Sequence, residues 1–182
     1  MTGRILIGAE GWDHDAWQGV LYPEDLPADW RLAFYALHYP MVVLSWSQVR
    51  AVDVSTLDAW AADTNEAFRF IIRSGQSAVP QGLGQVHEVL GCRLAGVLLD
   101  KDPDAAGAQA QRGYPLRSVD GALTTGRVIL VPLLDIRARA NWLTAQLAQC
   151  PRDEPVYGLV PGPSPALRAL DELANLIELL GL

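Results

Sequence analysis

Six apolar runs punctuate the chain: RILIG (4–8), MVVLS (41–45), FRFII (68–72), RLAGVLL (93–99), RVILVPLL (127–134) and VYGLV (156–160). Most are continuous rather than alternating, the pattern of parallel strands covered on both faces. Between them the spacing turns helical. Trp30, Phe34 and Leu37 share a face after Pro27 and Asp29, and Val54, Leu57 and Ala61 follow Asp53, an N-cap residue. Val79, Leu83, Val86 and Leu90 keep a helical spacing, as do Ala140, Leu143, Leu147 and Cys150. A last helix opens at Ser164-Pro165, carries Leu170, Leu173, Ile177 and Leu180 inward, and stops at Gly181. DPDAAGAQAQRG (102–113) has only alanines for an apolar face and reads as a short surface helix or a loop. In 114–126 the pattern is weak, with LRSV offering a short extra strand.

Strand and helix therefore alternate along one domain, residues 1–182, with no linker or repeat to divide it. That order argues for a parallel α/β protein, either a doubly wound open sheet or a (β/α) barrel. A full eight-fold barrel takes about 200–250 residues, so 182 is short for one.

The stretch IGAEGWDHDAWQGVLYPEDLP, with WRLAFYALHY after it, decides between the two. It resembles the opening of the YecE-like family, also called domain of unknown function 72. Members begin with a strand, Gly-Thr-Ser-Gly-Trp, Trp-x-Gly and Phe-Tyr-Pro, then a helix with Phe-Tyr-Ala. Gly8, Gly11, Trp12, Trp17, Gly19, Tyr22, Pro23, Phe34, Tyr35 and Ala36 fall on that pattern. LDAWAADTNEAFRFIIR and LGCRLAGVLLDKDPD look like later family segments, and the C-terminal strand and helix are similar more weakly. The resemblance implies a TIM-barrel-like parallel β/α fold and leaves activity open, since the family has no generally established one. With 102–126 shortened, the expectation is a diverged member whose barrel is incomplete or distorted, with six to seven strands. An open sheet leaves edges to cover, which favours a two-fold homodimer over a lid made by 114–126.

Departures from the family pattern concentrate where a barrel does chemistry, at the C-terminal ends of its strands. Against the family's Val-Glu-Leu-Asn-x-x-Phe-Tyr-Arg, the glutamate position holds Val43, the asparagine position Ser45 and the tyrosine position Val49, while Arg50 is kept. Arg73 stands for a lysine, and Ala9-Glu10 for Thr-Ser. The resemblance thus implies a relative that has lost its family's polar set, with its mouth filled by Val43, Trp46 and Val49.

Charge narrows the partners. The chain carries a net charge of −7, with Lys101 its one lysine, so nucleic acid is disfavoured. No apolar run reaches the length of a membrane span, and the start lacks a secretory pattern. Cys92 and Cys150 fit no zinc spacing and read as two reduced, mostly buried thiols of a cytoplasmic protein. P-loop, nucleophile-elbow, H-E-x-x-H and dinucleotide signatures are absent, so no catalytic residue and no cofactor are assigned.

The candidate ligand-binding residues lie at strand ends. Arg50 and Arg73 suit a small anion, because arginine reads carboxylate or phosphate bidentately; the competing reading is an ion pair with Asp53 or Asp100. Glu10, Asp13, His14 and Asp15 are metal-ligand types without a ligand spacing, and more simply cap the helix near Ala16-Trp17. Trp12 and Trp17 could stack on a ring, but the family pattern favours packing over the mouth. Ser45 and Trp46 follow the second strand, Asp100 the fourth, and Asp135 and Arg137 the fifth, while His38 and His87 fall on helices. The leading expectation is a non-catalytic barrel that binds a small anion or a protein. The alternative is a hydrolase or isomerase acting on a phosphorylated or sugar-like molecule.

Overall fold

In the computed structural model, which describes residues 5–100, 113–162 and 167–182, the apolar runs form a sheet that closes on itself. The strands are β1 (Ile5–Glu10), β2 (Met41–Ser45), β3 (Arg69–Arg73), β4 (Leu94–Leu98), β5 (Tyr114–Arg117), β6 (Leu123–Leu130) and β7 (Val156–Val160). They follow one another around a seven-strand barrel in chain order. The helices are α1 (Arg31–His38), α2 (Trp46–Val49), α3 (Val54–Asp63), α4 (Leu83–Leu90), α5 (Ile136–Ala148) and α6 (Leu167–Leu180). Among the described residues no helix is long and apolar enough to cross a membrane.

Closure corrects the expectation of an open sheet. The weakly patterned 114–126 stretch supplies β5, which runs antiparallel to both β4 and β6. A two-stranded reversal takes fewer residues than a parallel crossover, so a shortened chain can still complete the circle. The other neighbours are parallel, and β7 pairs with β1 from Ile5↔Val156 to Ala9↔Val160. The barrel is therefore distorted, as expected, but it is not open. Gly96 permits the odd strand to approach. A Cβ there would stand 2.9 Å from the Arg117 carbonyl oxygen, and its φ of +149° is one that side-chain-bearing residues rarely adopt.

Side chains alternate along each strand and so sort into two cores. Met41, Val43, Ile71, Leu98, Leu116, Val128, Tyr157 and Leu159 fill the interior of the barrel. Val42, Leu44, Phe70, Ile72 and Val97 instead join the layer packed under the helices. Tyr35 of α1 stitches that layer to the sheet. Its hydroxyl donates to the Met41 carbonyl at 2.9 Å and accepts from the Ala9 N–H at 2.9 Å, joining β1 to β2. Gly8 leaves room for this junction, since a Cβ there would lie 1.9 Å from the Met41 oxygen.

Helix termini follow the sequence signals. Asp53 accepts from the Thr56 N–H at 2.9 Å to cap α3, and Gly181 ends α6 with φ at +67°. The buried face of α1 is corrected: Leu32 and Tyr35 face inward, while Trp30 is 64% and Leu37 80% exposed. A single helix turn carries both stripes, and the sheet took the one that includes the bridging Tyr35. β6 ends at Leu130 rather than running to 134, because Pro132 offers no N–H to continue a ladder. Asp135 then caps α5 by accepting from the Arg137 and Ala138 N–H groups, so it does not end a strand. Cys150 is buried as expected, whereas Cys92 is exposed, lying in the helical turn just before β4. The segment expected as a surface helix or loop lies outside the described residues except for Gly113, as does the Ser164-Pro165 start of the last helix.

Candidate functional site

Barrel alternation places Glu10, Ser45 and Arg73 above the apolar plug. Each is the last residue of its strand and stands two positions beyond a residue aimed inside or lying under the plug: Gly8, Val43 and Ile71. Val43 is fully buried in the plug, so the interior below the mouth is apolar. The three polar ends therefore meet at the C-terminal face, where loops from β2, β3 and β4 add further groups.

Arg73 ties this face together. Its Nε donates to an Asp100 carboxylate oxygen at 2.7 Å, and its Nη1 lies 3.5 Å from a Glu10 carboxylate oxygen. The Asp100 hydrogen bond chiefly, with Glu10 behind it, holds the guanidinium above its already high pKa, so Arg73 stays charged throughout the biological range. A residue from β1, one from β3 and one just past β4 thus form one ionic bridge.

On one side of the bridge lies a cavity of about 360 Å³ lined by Ser45, Trp46, Ser47, Arg50, Arg73, Ser74, Gly75, Gln76 and Asp100. Local rules shape its walls. Ser45 and Gln48 form a reciprocal capping box at α2, which fixes the turn that carries Trp46 and Ser47. Ser74 Oγ donates to the Gln76 carbonyl at 3.0 Å and accepts from the Gln76 N–H at 2.9 Å, pinning the loop after β3. Arg50 follows α2 and is exposed, and among the described residues its guanidinium makes no ion pair. The pair with Asp53 weighed from the sequence does not form, because Asp53 is turned to its own helix cap.

On the other side lies a second cavity of about 450 Å³, which shares Ser45 with the first. Glu10, Trp12, Asp13, His14, Gln48 and Trp60 line it together with apolar Leu44 and Val52. Trp12 stands edge-on to Trp60, with ring centroids 5.0 Å apart. The sequence singled out Trp12; Trp60 entered only as part of a family segment. Its helical position, far from any strand end, hid its place at the mouth.

The loop after β1 divides its labour differently from the expectation. Trp17 is 2% exposed, stacked at 3° on Tyr35, and belongs to the core. His14 Nε2 lies 2.9 Å from the Glu10 carbonyl oxygen, folding the loop back on its own strand. Asp13 forms a hydrogen-bonded ion pair with Arg31, and Asp15 lies 3.8 Å from the same guanidinium. These acids therefore fasten α1 rather than cap the turn at Asp15–Trp17, which has no side-chain cap. Among the described residues no three His, Cys, Asp or Glu side chains are grouped to hold a metal.

Of the expected mouth fillers, only Val43 plugs the barrel. Val49 packs under the helices and Trp46 lines the arginine cavity. His38 and His87 are exposed on α1 and α4, away from the bridge, and Arg137 is exposed on α5. The opposite end of the barrel has its own cavity, of about 480 Å³, with Arg69 and Arg152 beside Asp153 and Glu154. There Arg69 Nη1 already donates to the Glu66 carbonyl at 2.6 Å and the Phe68 carbonyl at 2.9 Å.

Parts of the chain resemble known proteins. Residues 6–92 match the family model described as protein of unknown function DUF72. The UPF0759 protein YunF of Bacillus subtilis is 30% identical over 83 residues, which are 45% of this chain and 28% of that protein. The match thus spans less than a third of that relative's length. A DUF72 family protein of Thermotoga maritima superposes over 94% of this chain and 62% of its own, at 14% identity and a TM-score of 0.43. Another from Enterococcus faecalis superposes over 99% of this chain and 98% of its own, at 10% identity and a TM-score of 0.48. The segment that builds β1 to α4, with the strand ends and tryptophans of the mouth, is thus the part of the chain that resembles the DUF72 family.

Proposed function

We propose that this barrel is a non-catalytic binding protein that takes up a small anion at the C-terminal ends of its strands. The observation that carries the reading is Arg50: an exposed guanidinium without an ion pair among the described residues, on the wall of a cavity that Arg73 also lines. Arg50 offers its full fork of N–H donors, and Arg73 keeps Nη2 after serving Asp100 and Glu10. Ser47 is exposed on the same wall, with its hydroxyl 2.9 Å from Ser45 Oγ.

Catalysis is given no part because the interior below the bridge is apolar. At the position where the family pattern carries glutamate, Val43 is buried among Met41, Ile71 and Leu98. Glu10 and Asp100 remain, but both are engaged by Arg73 as structural counter-charges. A homodimer has no part either, since its argument was an open sheet edge and the barrel is closed.

Titration calorimetry with inorganic phosphate at low ionic strength tests the reading. Wild-type protein is expected to bind, and Arg50→Ala to weaken binding by about tenfold or more, the worth of a charge-assisted hydrogen bond. Binding should also fall as salt screens the site. Equal phosphate affinity in the wild type and in Arg50→Ala would refute it.

A further inference from the structure

The two cavities of the mouth meet at Ser45 but differ in chemistry. One offers two arginines; the other offers a tryptophan pair and the Glu10 carboxylate. Building on the anion reading above, we infer that the natural ligand spans both: a sugar ring seated against Trp12 and Glu10, bearing a single phosphate that reaches Arg50.

Four features point to this class. Trp12 is half-buried on a cavity wall and held edge-on by Trp60, so its orientation is set before any ligand arrives. An indole on a cavity wall is a surface on which the C–H face of a sugar ring packs. Glu10 carries acceptor oxygens on the wall of the tryptophan cavity, and its hydrogen bond with Arg73 engages one of them. A free carboxylate oxygen accepts hydrogen bonds from hydroxyl groups and can donate none. The ring it favours therefore carries hydrogen-bond donors such as hydroxyl groups and no negative charge.

The same wall limits the ligand's charge. Glu10 and Asp13 line the tryptophan cavity, so an anionic group placed there would face like charge. Among the described residues of the mouth, the arginines lie on the far side of Ser45, where Arg50 and Arg73 stand with Asp100, itself engaged by Arg73. A ligand with one phosphate fits this division, and one with a phosphate at each end does not. Phosphate suits the arginine side better than a carboxylate, since it brings more acceptor oxygens to the Arg50 fork and the remaining Arg73 donor.

Calorimetric titrations with glucose 6-phosphate, inorganic phosphate and glucose decide the matter. Glucose 6-phosphate is expected to bind about tenfold more tightly than phosphate, and Trp12→Ala to erase that margin while leaving phosphate affinity unchanged. Should Trp12→Ala fold poorly, Trp12→Leu keeps apolar bulk without a ring face and is expected to lose the margin in the same way. If glucose 6-phosphate and phosphate bind wild type equally, or if the margin survives both Trp12 variants, the ring site is refuted and the anion site stands. If neither phosphate compound binds, both readings fall together.

Discussion

At the residue scale, Arg73 and Arg50 divide one task. Arg73 neutralises Glu10 and Asp100 and so lets three strand ends of mixed charge share a small area. Arg50 carries the charge left over. This has a directional consequence for Asp100, which is both the main partner of Arg73 and an acid facing any incoming anion. Asp100→Asn should free part of the Arg73 fork and remove a repelling charge. Because Arg73 is 41% exposed, solvent screens the effect, and phosphate affinity should rise only about two- to fivefold. A fall in affinity would mean that Asp100 orients Arg73 for the ligand rather than competing with it. Tyr35 is the residue on which the β1–β2 seam depends. Tyr35→Phe strands the Ala9 N–H and one acceptor site of the Met41 carbonyl in the core, and should cost about 1–3 kcal/mol in urea denaturation. A loss within error of zero would show that the seam holds without the hydroxyl.

At the element scale, β5 is the piece that turns an open sheet into a barrel. It has four residues, is antiparallel to both neighbours, and presents Leu116, which is fully buried, to the interior. Leu116→Ala should destabilise the fold by about 2–5 kcal/mol, the cost of a cavity in a packed core. Thermal unfolding would measure it, and an unchanged midpoint would contradict the role given to β5. This strand also marks where the sequence stops being legible. The parallel strands are continuous apolar runs such as MVVLS and VYGLV, and they stand at those residues in the structure. In YPLR only Leu116 is a long aliphatic side chain, and Pro115 within it argues against a central strand, so the pattern there is too short and too mixed to announce one. The mouth was legible where its residues follow strands, as Glu10, Ser45, Arg50, Arg73 and Asp100 do. Trp60 was not, because a tryptophan inside a helical pattern reads as ordinary core.

At the scale of the whole molecule, an apolar plug and a helix-covered sheet leave the polar groups of the strands at the two ends of the barrel. Three buried tyrosines tie separate segments of the chain together. Tyr35 bridges β1 and β2, Tyr22 donates to the Trp12 carbonyl, and Tyr39 donates to an Asp171 carboxylate oxygen at 2.6 Å. Burial, above all, raises the pKa of each well past the ordinary 10.0. The unfolded chain therefore releases these protons first. Their contribution is intact below about pH 10 and is lost as the pH climbs from there toward the folded values. Denaturation midpoints should hold steady from pH 8 to about 10 and fall steeply above it. A flat profile to about pH 11.5 would contradict the buried placement of these hydroxyls.

The claim on which the functional account rests is that the anion sits at the C-terminal end of the barrel, and crystals soaked in selenate test it most directly. Selenate has the shape of phosphate's tetrahedral oxyanion and an anomalous signal that marks its place. The account predicts one strong anomalous peak in the cavity shared by Arg50 and Arg73. A peak confined to the opposite end, between Arg69 and Arg152, or no peak beside Arg50 in crystals that leave this mouth open to solvent, would contradict it.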